Sequence, residues 1–513
     1  MALEQMVVSH GDEDIVFLRE CYGPISFKCS EVGCLRYIRG FEKRQERNEH
    51  VRLHNRPFKC PEQGCFNGQL GFANSQNLRQ HISLCHAVLA PNRFTFPSRP
   101  RPPSVDERKK FREAIKYQKL DLLRDLIHTN SSFKDFIAPD GYTGLQYAAM
   151  YGKVESARLL LHCGSNIGTA TKYGTALNVA CYWGKADMVQ FLLAESRREE
   201  DVNSVDIRGC TPLLSILRGT RRVRLGVQWR LVQLLLGDTR VLVDNKDYKG
   251  RTLLSMASEI DSPEAVPLVE MLLKHPGIDV NARDNHSCTP LSRAASSGCV
   301  GVVKAFLQPG RGVDVDAKNA NGCTPLALAA ARPRYMSDAV PILKILLKHD
   351  GVHVNERSNT GRTPLSLAAC SGVPGKVKAL LEQGAGADVN AKDKGGRTPL
   401  SWAAARESRD KEADFAAMDN SEAVIVVKML LEHGGVDVDS KDNDGRTPLS
   451  WAAGMGISGV VMAFIEHGIG VDLNAKDNRG RTPLSWAMAR ENDADMAAVV
   501  TALVEHGAVD AAL

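Results

Sequence analysis

The chain is 513 residues long, which is too long for one compact domain and favours several domains or an array of repeats. Hydrophobic residues make up 43% but aromatic residues only 6%, a balance typical of stacked helices with small aliphatic side chains rather than of a bulky enzyme core. The first 110 residues hold 17 Lys and Arg against 12 Asp and Glu, whereas the other 403 balance at 48 to 48, which weakly favours a polyanionic partner near the N-terminus.

Residues 1–26 form a leader without the features of a secretory signal, because it carries acidic residues and no apolar run follows a basic start. No stretch of the chain approaches the roughly 18 consecutive apolar residues that a membrane span needs. The cysteines number 13, an odd count scattered over a long chain, which argues against a secreted disulfide framework. We therefore expect a soluble protein of a reducing compartment, with no membrane partner.

Two matching sets of cysteine and histidine follow the leader, over residues 27–54 and 58–86. Each opens with Phe-Lys-Cys, and the spacings are Cys-x4-Cys-x15-His-x3-His and Cys-x4-Cys-x15-His-x4-His. Thiolate sulfur and imidazole nitrogen are ligands that Zn²⁺ prefers in closed tetrahedral sites. A short hairpin would bring the two sulfurs together, and the two histidines of each set would project from one helical face. The predicted ligands of two structural zinc ions are Cys29, Cys34, His50, His54, Cys60, Cys65, His81 and His86.

These two units resemble C2H2 zinc fingers, although the interval between the second Cys and the first His is longer than the usual ~12 residues. The resemblance implies two small ββα folds whose zinc has no open coordination position for catalysis. It also implies that three positions of each finger helix face DNA bases. In this sequence those positions are Lys43, Glu46, Glu49, Asn74, Asn77 and Gln80.

Whether the fingers read DNA stays open at this point. Asn and Gln can pair with adenine, and residues 27–59 hold nine Lys and Arg against four Glu. On the other side, Arg79 is the one basic residue within 60–86, and Arg47 replaces the core Leu of the first finger helix. The alternatives are sequence-specific DNA binding and a module that binds protein, or nucleic acid weakly.

Residues 87–105 form a linker with five prolines between Leu89 and Ser104, which predicts a semi-rigid tether. Basic residues around its C-terminal end could form a nuclear-import patch or simply face solvent on the following helix. A capping box of Ser104 and Glu107 predicts the start of that helix, the first of a pair that caps the rest of the chain.

The segment 106–513 is dominated by an internal repeat centred on Thr-Pro-Leu. Thr predicts an N-cap, Pro the first helical turn, and the Ala residues that follow a helix that packs closely. A Leu/Val stripe then predicts a second helix, which ends near Gly. The motif or a looser version occurs at Thr143, Thr175, Thr211, Thr252, Thr289, Thr324, Thr363, Thr398, Thr447 and Thr482.

This pattern resembles the ankyrin repeat, with about ten repeats after the N-terminal cap. The resemblance implies a mostly α solenoid with a concave surface for a protein partner and no small-molecule substrate. The His that is usual after Thr-Pro-Leu is replaced by Ser, which we expect to hydrogen-bond locally. The replacements are Ser292, Ser366, Ser401, Ser450 and Ser485.

Three tryptophans, Trp402, Trp451 and Trp486, share one position in the last neighbouring repeats. They could anchor a partner, since Trp is enriched at binding hot spots, or could pack between adjacent repeats. Insertions at 217–230 and 406–422 could likewise be binding loops or solvated loops.

The function expected from these features is a non-enzymatic transcriptional regulator or co-regulator in the nucleus. Its repeats would bind a protein partner, and its fingers would bind DNA or a DNA-bound factor. The combination resembles proteins of filamentous fungi, some of which are transcriptional co-regulators. The alternative is a cytoplasmic scaffold whose fingers bind protein. The sequence has neither a Gly-rich phosphate loop ending in Gly-Lys-Ser/Thr nor a His-Glu-x-x-His motif, and fingers, linker and repeats account for nearly all of it.

Overall fold

A computed structural model describes residues 103–219, 225–333, 339–384, 386–405, 421–467, 470–489 and 494–509. Helices make up the regular structure of these ranges, apart from one isolated bridge between Thr171 and Gly174. The predicted leader, both predicted fingers and most of the linker lie outside the described residues. Among the described helices, none combines the length and apolar content that crossing a membrane requires.

The described part of the chain begins with a helix pair, α1 (Val105–Lys116) and α2 (Leu120–Thr129), followed by a short 3-10 helix, Ser131–Lys134. The predicted capping box at the start of α1 is confirmed, since the backbone N–H of Ser104 donates to Glu107 Oε2 at 2.8 Å and the N–H of Glu107 to Ser104 Oγ at 3.2 Å.

Ten further helix pairs follow, each with its first helix directly after one of the ten repeated Thr residues, and we number these pairs as repeats 1 to 10. Repeats 1 to 5 are α3 (Gly144–Tyr151) with α4 (Val154–His162), α5 (Ala176–Tyr182) with α6 (Ala186–Glu195), α8 (Pro212–Arg218) with α9 (Leu225–Leu236), α10 (Leu253–Ser258) with α11 (Ala265–Leu273), and α12 (Pro290–Ser297) with α13 (Val300–Phe306). A short helix, α7 (Glu199–Asn203), precedes repeat 3. Repeats 6 to 10 are α14 (Pro325–Ala331) with α15 (Ala339–Leu347), α16 (Pro364–Ser371) with α17 (Pro374–Gln383), α18 (Pro399–Ala405) with α19 (Ser421–Leu431), α20 (Pro448–Met455) with α21 (Ser458–His467), and α22 (Pro483–Met488) with α23 (Ala494–Glu505).

The first helix of a repeat starts where the Thr hydroxyl accepts the backbone N–H three residues later. In repeat 9, for example, the N–H of Ser450 donates to Thr447 Oγ1 at 3.3 Å and Pro448 occupies the first helical turn. The expected local bond of the substituted Ser is also present, with the hydroxyls of Thr447 and Ser450 3.1 Å apart. Local sequence thus determines where each repeat begins.

The helices stack in two layers, because first helices pack on neighbouring first helices and second helices on neighbouring second helices. Small side chains allow the first helices to approach closely; Ala294 and Ala295, for example, are fully buried. The predicted solenoid of helix pairs, with a core of Ala, Leu and Val, is confirmed.

A tight hairpin loop precedes each repeated Thr, and successive loops are joined by backbone hydrogen bonds. The N–H of Asn443 donates to the carbonyl of Gly395 at 3.0 Å, and the N–H of Asn478 to that of Asp444 at 3.0 Å. Gly445 has a φ of 78°, and a Cβ there would lie 2.7 Å from the backbone nitrogen of Asn478, so both conformation and space require glycine. We call the two residues before this glycine position the hairpin tip.

Candidate functional site

The predicted metal and DNA contacts cannot be placed by the structure. All eight predicted zinc ligands, from Cys29 to His86, and all six predicted base-facing positions, from Lys43 to Gln80, lie outside the described residues. Within the part that is described, no group of three or more His, Cys, Asp or Glu side chains could hold a metal ion. Zinc binding and DNA binding therefore stay predictions.

The three predicted tryptophans lie within the stack. Trp402 and Trp451 are buried, with 5% and 6% of their surface exposed, and Trp486 is half-buried. Each indole N–H donates to an Asp carboxylate nine residues earlier in the chain. The distances to Oδ2 are 3.0 Å for Trp402 to Asp393, 2.9 Å for Trp451 to Asp442 and 3.2 Å for Trp486 to Asp477.

Arginines from the hairpins alternate with these indoles. The Arg397 guanidinium carbon lies 4.6 Å from the Trp402 ring centroid and 3.7 Å from that of Trp451. Arg446 likewise lies 3.9 Å from Trp451 and 3.3 Å from Trp486, and its burial lowers the pKa of its guanidinium. With the terminal members included, the Arg–Trp ladder consists of Arg362, Trp402, Arg397, Trp451, Arg446, Trp486 and Arg481.

The ladder joins repeats 7 to 10. The three tryptophans therefore pack between adjacent repeats, which was one of the two alternatives for them. A direct role as partner anchors stays a prediction. Of the predicted insertion 217–230, residues 225–230 belong to α9 and residues 220–224 lie outside the described residues, as do residues 406–420 of the second insertion.

The ladder occupies two register positions that can be compared in every repeat. The hairpin position is the residue before the repeated Thr, and the helix position is the fourth residue after it. Repeats 8 to 10 place Arg at the first and Trp at the second. Repeats 2 and 3 instead have Gly174 with Val179 and Cys210 with Ser215, which are much smaller pairs.

Charged groups occupy the same positions in repeats 4 and 5. Arg251, at the hairpin position of repeat 4, and Arg293, at the helix position of repeat 5, both pair with Glu259, at 3.0 Å and 3.3 Å. Arg251 also pairs with the buried carboxylate of Asp247 at 2.8 Å. Ion pairs therefore fill these register positions in repeats 4 and 5, as stacked Arg and Trp fill them in repeats 8 to 10.

Repeats 2 and 3 leave a cavity of about 320 Å³ at these positions, which we call the aromatic pocket. Val179 and Ser215 contribute to its lining, and four aromatic side chains surround them. Tyr142 and Tyr173 are stacked with ring centroids 4.1 Å apart. Tyr182 and Trp183 meet edge to face at 5.9 Å.

Basic residues from the hairpin tips line the aromatic pocket as well. Lys172 and Arg208 are exposed, whereas Arg218 pairs with the carboxylate of Asp206. Asp206 also accepts the backbone N–H groups of Arg208 at 2.8 Å and Cys210 at 2.9 Å. Because the pocket's one carboxylate is already paired, the positive charge of Lys172 and Arg208 dominates at the opening.

A second cavity, of about 370 Å³, lies between α1 and the first hairpin and has a similar character. Arg112 lies 5.0 Å from the Tyr147 ring centroid and donates to the Tyr151 hydroxyl at 3.1 Å. The Tyr147 hydroxyl in turn donates to Asp140 at 2.6 Å. Aromatic and basic side chains thus line both cavities at the N-terminal end of the stack.

Sequence reasoning missed the aromatic pocket, although a signal for it was present. Half of the ten tyrosines lie between residues 142 and 183, and Trp183 lies beside them. Burial raises the pKa of Tyr142 to about 12, with Tyr173 contributing, so the Tyr142 hydroxyl is neutral at physiological pH.

The family model for ankyrin repeats in three copies matches residues 111–206, 223–319, 311–393, 330–411 and 414–511. The chain belongs to the ankyrin-repeat family. Its ankyrin repeats are therefore expected to bind a protein partner, the role for which such stacked arrays provide an extended surface. No enzyme family is indicated.

Individual relatives match parts of the chain. A putative ankyrin repeat protein of Rickettsia bellii is 28% identical over 179 residues, which is 34% of this chain and 23% of that protein's length. The Notch-regulated ankyrin repeat-containing protein of Xenopus tropicalis is 31% identical over 91 residues, or 17% of this chain and 80% of that one. Among solved structures, the ankyrin repeat domain of Bcl-3, a member of the IkappaB protein family, is 26% identical with a TM-score of 0.35, covering 47% of this chain and 93% of that one.

Proposed function

We propose that this protein is a non-enzymatic transcriptional regulator or co-regulator that acts in the nucleus. Its ankyrin repeats bind a protein partner, and its N-terminal C2H2 motifs, each with one structural zinc ion, bring that partner to DNA or to a DNA-bound factor. The observation that carries the proposal is an open aromatic pocket in repeats 2 and 3, at register positions that hold ion pairs in repeats 4 and 5 and stacked Arg and Trp in repeats 8 to 10.

The finger motifs support the DNA-directed half of the proposal. Zn²⁺ held by Cys29, Cys34, His50 and His54, and by the matching set from Cys60 to His86, would contribute on the order of 10–16 kcal/mol to folding each finger. The excess of basic residues within 27–59 favours attraction to phosphate.

Fluorescence anisotropy tests the DNA-directed half of the proposal. The zinc-loaded full-length protein is titrated against random and selected DNA duplexes at several salt concentrations. We expect saturable binding with a sequence preference that persists above about 150 mM salt and disappears with a chelator. The Cys60→Ser variant should lose that preference, whereas a Cys163→Ser change in repeat 1 should keep it. Equally weak binding to every duplex would favour the alternative function, a cytoplasmic scaffold whose fingers bind protein. Exclusion of a fluorescent fusion of the protein from the nucleus would favour the same alternative.

A further inference from the structure

We infer that the aromatic pocket binds an acidic peptide segment that inserts one aromatic side chain. The inference rests on the proposed function, because it assumes that the ankyrin repeats hold a protein partner. It adds the place of contact, the repeats involved and the chemistry of the segment that fits there.

The pocket is preformed because the residues beneath it are held by their own hydrogen bonds. The side-chain amide of Asn178 donates to the carbonyls of Ser204 at 3.1 Å and Cys210 at 3.0 Å, which connects repeat 2 to repeat 3. Val179 and Ser215 are buried and small, so no ladder side chain occupies the space between the hairpins. A ligand therefore meets a shaped cavity and does not have to order it.

The walls of the pocket determine which side chain fits. Stacked and edge-to-face arrangements of aromatic rings are favourable beyond the apolar area they bury. The pair of Tyr142 and Tyr173 offers a ring face, and the perpendicular pair of Tyr182 and Trp183 offers both a face and an edge. The C-terminal repeats fill the same register positions with an indole from their own chain, which suggests an aromatic ring from the partner here.

Charge at the opening determines what flanks that ring. Lys172 and Arg208 are exposed at adjacent hairpin tips, and the backbone N–H of Ile207 donates to the Lys172 carbonyl at 3.3 Å, which holds the two tips side by side. Lys249 lies on the tip that follows. Carboxylates on a partner would meet this row of cations, which gives complementarity and faster association.

A peptide fits these charges better than a nucleic acid does. The exposed cations Lys172, Arg208 and Lys249 lie singly on three successive hairpin tips, so they do not form a continuous basic track. Single-stranded nucleic acid needs a continuous basic groove. The exposed apolar tips also favour a peptide, since Ile207 and Tyr248 are 63% and 68% exposed and can contact side chains beyond the anchor.

The test is selection of a randomised linear peptide library on the full-length protein, followed by anisotropy with the enriched peptides. We expect enrichment of a single Phe, Tyr or Trp flanked by Asp and Glu. Ser215→Trp places an indole at the helix position, as in the Arg–Trp ladder, and should weaken binding about tenfold or more. Its matched control is Leu367→Trp at the same register position of repeat 7, which should bind like the parent protein.

A second pair of variants keeps the test valid if the pocket substitution disturbs folding. The exposed double variant Lys172→Glu/Arg208→Glu should also weaken binding about tenfold or more, with unchanged circular dichroism. Its control, Lys394→Glu/Arg479→Glu, reverses charges at the same tip positions in repeats 8 and 10 and should have little effect.

Three results would overturn the inference: no enrichment, enrichment of peptides with other chemistry, or binding unaffected by both pocket variants. Oligothymidylate that binds the parent protein and is blocked by Ser215→Trp would assign the pocket to nucleic acid instead. Peptides that bind elsewhere on the repeats would leave the proposed function standing while this inference fails. Loss of DNA binding by the fingers would leave the pocket result unchanged.

Discussion

The two ends of the ankyrin stack connect neighbouring repeats by different side chains. In repeats 1 and 2, the third residue after the repeated Thr is an amide that reaches the next repeat; the Gln146 side chain donates to the Gly174 carbonyl at 2.6 Å. In repeat 7, the same position is Ser366, whose hydroxyl lies 3.2 Å from that of its own capping Thr363. The hydroxyl and backbone N–H of this Ser both bond to the Thr of its own repeat.

In the C-terminal repeats, neighbouring repeats are connected by stacked Arg and Trp side chains and not by the Ser at this position. Each indole of the Arg–Trp ladder contacts a guanidinium of its own repeat and one of the preceding repeat, and cation–π contacts of this kind stabilise by about 0.5–2 kcal/mol each. The ladder side chains are bulky, so they fill the space between the hairpins and the first helices of these repeats. The side-chain amides of Gln146 and Asn178 connect repeats 1 to 3 instead, and the register positions of the ladder stay open to a ligand in repeats 2 and 3.

The largest expected effect is the loss of one indole from the ladder. Trp451→Ala removes the ring between Arg397 and Arg446 and takes the indole donor from the buried Asp442. We expect the free energy of unfolding of the C-terminal repeats to fall by about 3–5 kcal/mol. Urea denaturation followed by circular dichroism, with hydrogen exchange to locate the change, measures it.

Trp229→Ala in repeat 3 is the control for that variant, since Trp229 is 39% exposed on α9 and belongs to no ladder. Trp451→Phe should fall between the two, because it keeps a stacked ring and loses the indole N–H. Equal effects of Trp451→Ala and Trp229→Ala would show that the ladder does not connect the C-terminal repeats.

A smaller loss is expected from the amide connection at the other end. Gln146 is fully buried, and Gln146→Ala leaves the Gly174 carbonyl without this donor. We expect a loss of about 1–3 kcal/mol, confined to repeats 1 and 2 in hydrogen exchange. Gln190→Ala, on the exposed face of α6, should change the same exchange rates little. Protection of Gly174 and its neighbours that is unchanged in Gln146→Ala would contradict the role given to the amide.

A pH-dependent effect is expected at the boundary between the two ends. Lys376 of repeat 7 is buried with its Nζ donating to the carbonyls of Ala330, at 3.1 Å, and Arg332. Burial, with the nearby positive charge of Arg332, lowers the pKa of Lys376 to about 8. Because this lies below the unfolded value, the unfolded chain binds more protons between pH 8 and about 10.4, and stability contributed by Lys376 rises with pH through that window.

Comparison with Lys376→Met isolates this contribution from tyrosines and cysteines that titrate in the same range. We expect the parent protein to gain about 1 kcal/mol relative to the variant between pH 8 and pH 9. The measurement is urea denaturation at each pH. Parallel pH profiles of the two proteins would contradict a lowered pKa for Lys376.

The smallest effect is expected from the local Ser of the C-terminal repeats. Ser450→Ala removes its hydroxyl from Thr447 while the capping bond to the backbone remains, so a loss of about 0.5 kcal/mol, the lower end of the range for one hydrogen bond, is expected. Ala327 occupies the same position in repeat 6, and the reciprocal Ala327→Ser should be neutral or slightly stabilising. A loss from Ser450→Ala as large as that from Gln146→Ala would remove the distinction between local and inter-repeat bonds.

Repeat boundaries, caps and the local bond of Ser could be predicted because each depends on residues three or four positions apart. Thr447, Pro448 and Ser450 determine one another's conformation whatever lies next to them. The Asp-to-Trp bonds also span only nine residues, and the recurrence of Trp-Ala after Thr-Pro-Leu-Ser indicated that Trp402, Trp451 and Trp486 share a position.

What those tryptophans contact, and where the stack stays open, was decided by the tertiary structure. Arg397 comes to lie between Trp402 and Trp451 because repeats 8 and 9 pack in register, and the sequence of one repeat does not specify its register with the next. The aromatic pocket depends likewise on small residues in two repeats and on rings contributed by both the first and the second hairpin. By itself, the sequence determined the repeating unit, and it predicts two metal motifs in the N-terminal segment. Stacking determined which side chains of the repeats are buried and which remain available to a partner, because those contacts join residues from different repeats.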